Sequence, residues 1–167
     1  MQEVVPPRRG IPFPQSSAAS LAPTSTTREN IKQYRVTPDL ETGNELIDSE
    51  HRALFDAIND LLYACHTGRG RDQIGETAEF LADYVDKHFS DEEELQLDNN
   101  YPHYEPHHAF HVEYEGRIRA LADDIRANGP TVKSLSDVNT EAGVLINHIR
   151  HEDKRLAAYL RSRNRNK

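Results

Sequence analysis

The stretch HFSDEEELQLDNNYPHYEPHHAFH, residues 88–111, decides how the chain folds. It holds five histidines (His88, His103, His107, His108, His111) and six carboxylates (Asp91, Glu92, Glu93, Glu94, Asp98, Glu105). The run DNNYPHYEP in its middle breaks any helix, because Asn and Pro both favour turns. His88 and Glu92 stand four residues apart before that break, and His107 and His111 four apart after it. Each pair therefore shares one helix face. Either this is a solvated acidic surface with scattered imidazoles, or the polar groups point inward at a metal.

The flanking periodicity separates these readings. From Glu45 onward, Ile47, His51, Leu54, Phe55, Ile58, Leu61, Leu62 and Cys65 recur at steps of three and four, the mark of an amphipathic helix. HTGRGR ends it with two glycines. A second stripe runs through Ile74, Ala78, Leu81, Tyr84, Val85, His88, Glu92 and Leu95. A third runs through His107, His111, Tyr114, Ile118, Leu121 and Ile125, and NGP at 128–130 stops it. The fourth comprises Leu135, Val138, Leu145, His148, Ile149, Leu156 and Leu160, with Ser and Asp caps offered by SLSD at its start. Four amphipathic helices with short connections predict an all-α, antiparallel up-down-up-down four-helix bundle over residues 37–167. Residues 1–36, rich in Pro, Ser and Thr without a sustained period, predict a flexible N-terminal extension. It reads first as dispensable, with a docking arm for a protein partner as the alternative.

Composition bounds the function classes. The chain has 167 residues, enough for one domain with a real core, and a net charge of −8. An acidic surface argues against nucleic acid, whose phosphates need clustered Lys and Arg. Cys65 is the only cysteine, which rules out an intrachain disulfide and thiolate-rich zinc or iron–sulfur sites. No apolar run approaches the ~18 residues of a membrane span. Arg8 and Arg9 have no apolar stretch behind them, so no signal peptide is expected and a cytoplasmic location is the default.

Polar residues interrupt every stripe: His51 on the first helix, His88 and Glu92 on the second, His107 and His111 on the third, His148 and Asp153 on the fourth. Burying such groups without partners costs several kcal/mol each, and a metal centre supplies the partner. Five imidazoles and two carboxylates exceed the four ligands of a structural zinc, and calcium and magnesium prefer oxygen. The mixed set suits iron, although copper or zinc also binds such donors. Seven ligands fit two metals bridged by both carboxylates. The spacing of His148 and Asp153 is awkward: five residues place them about 140° apart on an ideal helix, and Glu152 is the same-face choice. A wide turn or π-bulge near 149–153 would bring both inward.

At these residues the chain resembles the hemerythrin family, specifically the bacterial hemerythrins. That family's pattern is a lone His on the first helix, HxxxE on the second, HxxxH on the third and HxxxxD on the fourth. The matching segments are IDSEH ending at His51, HFSDE from His88 to Glu92, HHAFH ending at His111 with His107 four before it, and HIRHED from His148 to Asp153. The resemblance implies Asp153 rather than Glu152 as the last ligand. It implies that His107, His111 and His148 hold one iron and His51 and His88 the other. Glu92 and Asp153 would bridge them with an oxo or hydroxo group. O2 would take the open position on the two-histidine iron, in a pocket lined by Leu145 or Ile146. The expected function is reversible O2 binding for storage, delivery or sensing, not catalysis. A di-iron oxidase or peroxidase, a nitric-oxide-reactive enzyme, a regulatory module and an iron store are the alternatives. The chain departs from the family in having no Trp; Tyr34 and Val144 stand at the positions in question. Outside the seven, Asp48 is a candidate partner for a ligand histidine or an exposed helix-start acid. Glu93, Glu94, His66, His103, His108 and His151 read as solvated, and Cys65, Tyr84 and Tyr114 as core.

Overall fold

A computed structural model describes residues 33–165. Its helices are α1 (Glu45–His66), α2 (Arg71–Asp98), α3 (Tyr104–Asn128) and α4 (Val132–His148); a single π-helical turn, Ile149–Asp153, leads from α4 into α5 (Lys154–Arg165). The last three segments form one long fourth helix, and there is no strand among the described residues. Helix α1 packs on α2 and α4, α2 on α3, and α3 on α4, which closes the four-helix ring. No helix among the described residues is long and apolar enough to cross a membrane.

Local chemistry sets the helix ends. Asn44 caps α1, its side chain accepting from the Leu46 and Ile47 amides at 3.1 and 3.3 Å. Gly129, at φ 75°, ends α3 with its N–H on the Ile125 carbonyl at 2.8 Å. Helix α4 begins earlier than SLSD implied. Thr131 is the cap, and with Ser134 it forms a reciprocal capping box. Extended backbone at Thr131, just after Gly129–Pro130, is what a cap requires.

The apolar stripes meet in two clusters. The larger includes Leu54, Phe55, Ile58, Leu61, Leu81, Val85, Phe89, Tyr114, Ile118, Leu145 and Ile149. The smaller comprises Ile47, Tyr101, Leu156 and Leu160. His51 falls between Ile47 and Leu54 along α1, and Asp153 between Ile149 and Leu156, so the polar residues lie between the clusters.

Residues 1–32 of the expected extension lie outside the described residues. Its last part is held to the bundle. The Gln33 and Tyr34 amides donate to Asn59 Oδ1 at 3.0 and 2.9 Å, and Asn59 Nδ2 returns a bond to the Tyr34 carbonyl at 2.7 Å. The Tyr34 hydroxyl reaches Asn139 Oδ1 at 2.7 Å, tying this segment to α4. Asp48 takes neither role the sequence offered. It is buried and accepts from the Thr42 amide, the Thr42 hydroxyl and the Gly43 amide at 2.8, 2.7 and 2.9 Å. The chain folds back over the start of α1 and brings those donors to it.

Two substitutions test this framework. Asp48→Ala strands three donors and is expected to cost about 2–3 kcal/mol. Thr131→Ala removes one cap and is expected to cost about 1 kcal/mol. Urea unfolding of the metal-free protein measures both, and the reverse order would contradict these two roles.

Candidate metal centre

The bundle brings all seven candidate residues to one place and buries them. His51, His88, Glu92, His111 and Asp153 are fully enclosed, and His107 and His148 nearly so. Their donor atoms form two overlapping groups, each with all its atoms within 4.8 Å of one another. One is His107, His111, His148 and Glu92; the other is His51, His88, Glu92 and Asp153. Glu92 belongs to both. Asp153 also spans them: its Oδ2 lies 3.1 Å from His51 Nε2, while its Oδ1 lies 2.9 Å from His148 Nε2 and 3.3 Å from His107 Nε2.

The π turn makes this possible. One residue wider than an α turn, it carries Asp153 round to the face of His148. Glu152 turns outward instead and pairs with Arg155 at 2.9 Å.

The donors are aimed at common points more than at each other. Although His51 Nε2 lies 3.1 Å from Asp153, neither atom has an aligned hydrogen bond. His88 Nε2, His111 Nε2 and both Glu92 oxygens are likewise buried without a bonded partner. His107 Nε2 and His148 Nε2 face each other at 3.0 Å, two ring nitrogens directed at one small volume. Leaving so many buried polar atoms unmatched is costly, and divalent cations between them would satisfy all of these lone pairs together. The donor set is imidazole and carboxylate without thiolate, which suits a di-iron site.

The imidazoles are held from behind. His88 Nδ1 lies 3.1 Å from Glu50 Oε2, and His111 Nδ1 lies 2.9 Å from Glu93 Oε1. A carboxylate behind Nδ1 fixes the proton there and frees the Nε2 lone pair for the centre. Phe89 stacks on His111 with ring centroids 3.7 Å apart, and Phe110 on His148 at 3.9 Å, locking both ring planes.

In the metal-free protein these groups hold one another's charges. Burial works against a proton on His107, but Asp153 and Glu92 raise its pKa to about 9. His88 is likewise raised against burial, by Glu50 and by the nearby Glu92 and Asp153. Burial pushes His111 down, and its carboxylate neighbours do not reverse that. Burial and the Asp153 charge push Glu92 up, yet His107, His111 and His88 bring it down to about 2. Asp153 sits well below the usual carboxylate range despite its burial, held by His148, His107 and His51.

The remaining expectations divide. Glu93, expected in solvent, is a partner of both His111 and His108. Periodicity alone does not single out Glu50, though it lies three residues after Ile47 and four before Leu54, on the apolar face. His66, His103 and His151 are exposed, and His108 is partly buried against Tyr104. Tyr114 is core, its hydroxyl donating to the Glu141 carbonyl at 2.9 Å, and Tyr84 is half-buried beside Lys87. Cys65 is half-buried against the core, and burial raises its thiol pKa. Leu145 is fully buried and lines an apolar cavity with Ile58, Leu81, Val85, Tyr114 and Val138. Ile146 is half-buried against the core edge and is not among the residues lining that cavity.

Known proteins resemble this chain. Residues 42–160 match the family model described as the hemerythrin HHE cation binding domain. A bacteriohemerythrin of Pseudomonas paraeruginosa (strain DSM 24068 / PA7) is 31% identical over 115 residues, covering 69% of this chain and 73% of the relative. A myohemerythrin of Theromyzon tessulatum is 25% identical over 120 residues, covering 72% of this chain and 88% of the relative. A crystal structure of wild-type hemerythrin superposes with a TM-score of 0.69 at 27% identity, covering 77% of this chain and 97% of that one. With the family model spanning most of the bundle and the buried imidazole–carboxylate cluster at its centre, the chain belongs to the hemerythrin family.

Proposed function

We propose that this chain holds two iron ions between its helices and binds O2 reversibly there, in the cytoplasm, for storage, delivery or sensing rather than turnover. One observation carries the reading: the buried donors divide into three imidazoles on one side, two on the other, and two carboxylates that reach both. The iron pair supplies the electrons and the coordination position that O2 requires. The residues do the rest. His107, His111 and His148 would hold one ion, His51 and His88 the other, and Glu92 and Asp153 would serve both. The side with two imidazoles would carry fewer histidine donors, and there we place O2.

The surroundings fit a ligand that must leave unchanged. Phe89, Leu145 and Ile149 are fully buried, and Phe89 stacks on the His111 ring. We assign Leu145 to the wall of the O2 pocket, with Ile146 at its outer edge. Five neutral imidazoles stabilise highly oxidised iron less than a carboxylate-rich set does, which favours release of O2 over its activation.

Three measurements test this. Anaerobically reduced protein is expected to retain two irons per chain and to develop a visible absorption band with O2 that disappears on deoxygenation. Irreversible bleaching, or steady consumption of O2 or peroxide at useful rates, points to an enzyme instead. Glu50→Ala and Glu93→Ala are expected to weaken metal retention about 10- to 100-fold, because each frees the ring of a ligand histidine. Unchanged release to a chelator in both would remove the positioning role. Metal must also displace protons. With His107 raised to about 9, its proton is present at pH 7 and is shed on loading. Loading in weak buffer is expected to acidify the solution, and affinity to fall as pH drops; metal uptake without proton release would contradict this protonation state.

A further inference from the structure

The buried side chains with unpartnered polar atoms, among the described residues, fall into two sets. One consists of candidate metal ligands: His51, His88, Glu92, His107, His111 and Asp153. The other consists of Gln96 and Tyr101. Gln96 is fully enclosed, and neither its amide oxygen nor its amide nitrogen has a partner. Tyr101 is 4% exposed, and its hydroxyl also has none. Enclosing a primary amide and a phenol in this way is costly unless something takes their hydrogen bonds.

The centre offers matching atoms. All five imidazoles direct Nε2 inward, so each has an outer Nδ1. Glu50 takes that of His88 and Glu93 that of His111. The Nδ1 atoms of His51 and His107 are buried and unpartnered. The Tyr101 ring lies against the His107 ring, with centroids 6.3 Å apart. Gln96 continues the α2 face of His88 and Glu92 by one more turn, and α2 packs on α1, which carries His51. The Gln96 carbonyl accepts from the Tyr101 amide at 2.9 Å, so the backbone bridges the two residues.

We propose that Gln96 and Tyr101 are positioning residues of the metal centre. The Gln96 amide oxygen takes the Nδ1–H of His51, and the Tyr101 phenol oxygen that of His107, each directly after a side-chain rotation or through one enclosed water. They thereby do with neutral acceptors what Glu50 and Glu93 do with charged ones. A neutral acceptor fixes the ring and its tautomer without adding a negative charge beside two carboxylates. This inference rests on the di-metal reading above and goes beyond it.

The test uses the full chain loaded anaerobically with cobalt(II), whose paramagnetism shifts the Nδ1–H proton resonances of bound imidazoles out of the crowded spectrum. Wild-type protein is expected to bind two ions and to show slowly exchanging resonances for the held rings. Failure to bind two ions removes the di-metal reading, and this one with it. In Gln96→Met, the His51 resonance is expected to exchange at least about tenfold faster, and metal release to a chelator to quicken about tenfold. Gln96→Glu, which keeps an acceptor oxygen, is expected to restore slow exchange. The metal-free Gln96→Met protein is expected to melt no lower than wild type, because the change removes an orphaned amide. Tyr101→Phe provides an independent arm, with faster exchange expected at His107. Two bound ions with unchanged resonances and release in both Gln96→Met and Tyr101→Phe would overturn the positioning roles while leaving the metal centre intact.

Discussion

The constraint on which the rest of this structure depends is the burial of seven ionisable side chains in the middle of a small bundle. Each ion moved out of water costs several kcal/mol after relaxation, and a domain of this size has only about 5–15 kcal/mol of net stability. The fold therefore cannot leave these groups unmatched. Without a cation, imidazolium–carboxylate attraction does the matching, which is why His107 is raised and Asp153 lowered while both are buried. With cations, the same lone pairs meet positive charge directly. Folding and metal binding draw on one set of atoms, so the protons on these imidazoles and the metals compete for the same positions.

Geometry follows from that constraint. An α-helix offers a buried face at steps of three and four, which suffices for His88 with Glu92 and His107 with His111. It does not suffice on the fourth helix, where a regular turn would point Asp153 away from His148. The π turn at Ile149–Asp153 resolves the conflict by widening one turn, and it leaves Ile149 and Leu156 buried on either side. A π turn sacrifices hydrogen-bond geometry that a plain α-helix would keep. Here the return is a carboxylate whose two oxygens face different histidine groups.

Much of this was legible in the sequence, for a definite reason. Helical periodicity reports which face is buried, and polar residues on that face announce themselves by interrupting it. The four helices and six of the seven inward residues come from that one signal; Asp153, and the irregular turn it requires, come from the family resemblance, since periodicity alone favours Glu152. What it misses is equally instructive. Glu50 fits the apolar face of α1, yet it reads as part of the charged run beside His51. Gln96 continues the face of His88 and Glu92, but an uncharged amide near a helix end draws no notice. Glu93 lies just off the inward face and becomes important only because α3 brings two histidines against it. Asp48 looks like an ordinary helix-start acid until the preceding loop folds over it. Tyr101 sits in a turn, where periodicity carries no information. These partners are set by which helices pack together, and a single helix's pattern cannot encode them.

The two sides of the centre differ in a way that bears on how it works. On the side of the larger cluster, Phe89 stacks on His111 and Phe110 on His148, both without polar side-chain atoms. Toward the smaller cluster lie Gln96 and Tyr101, which carry hydrogen-bonding groups. A nonpolar diatomic loses little by entering among hydrocarbon side chains, whereas water entering there forfeits its hydrogen bonds. The polar side offers the opposite terms and suits an enclosed water or a proton. The imidazoles are held from several directions: Glu50 and Glu93 lie behind His88 and His111, and Phe89 and Phe110 stack on His111 and His148. The asymmetry of the donor set and that of the walls are separate: the stacked rings of Phe89 and Phe110 lie on His111 and His148, whereas the position we propose for O2 lies with His51 and His88.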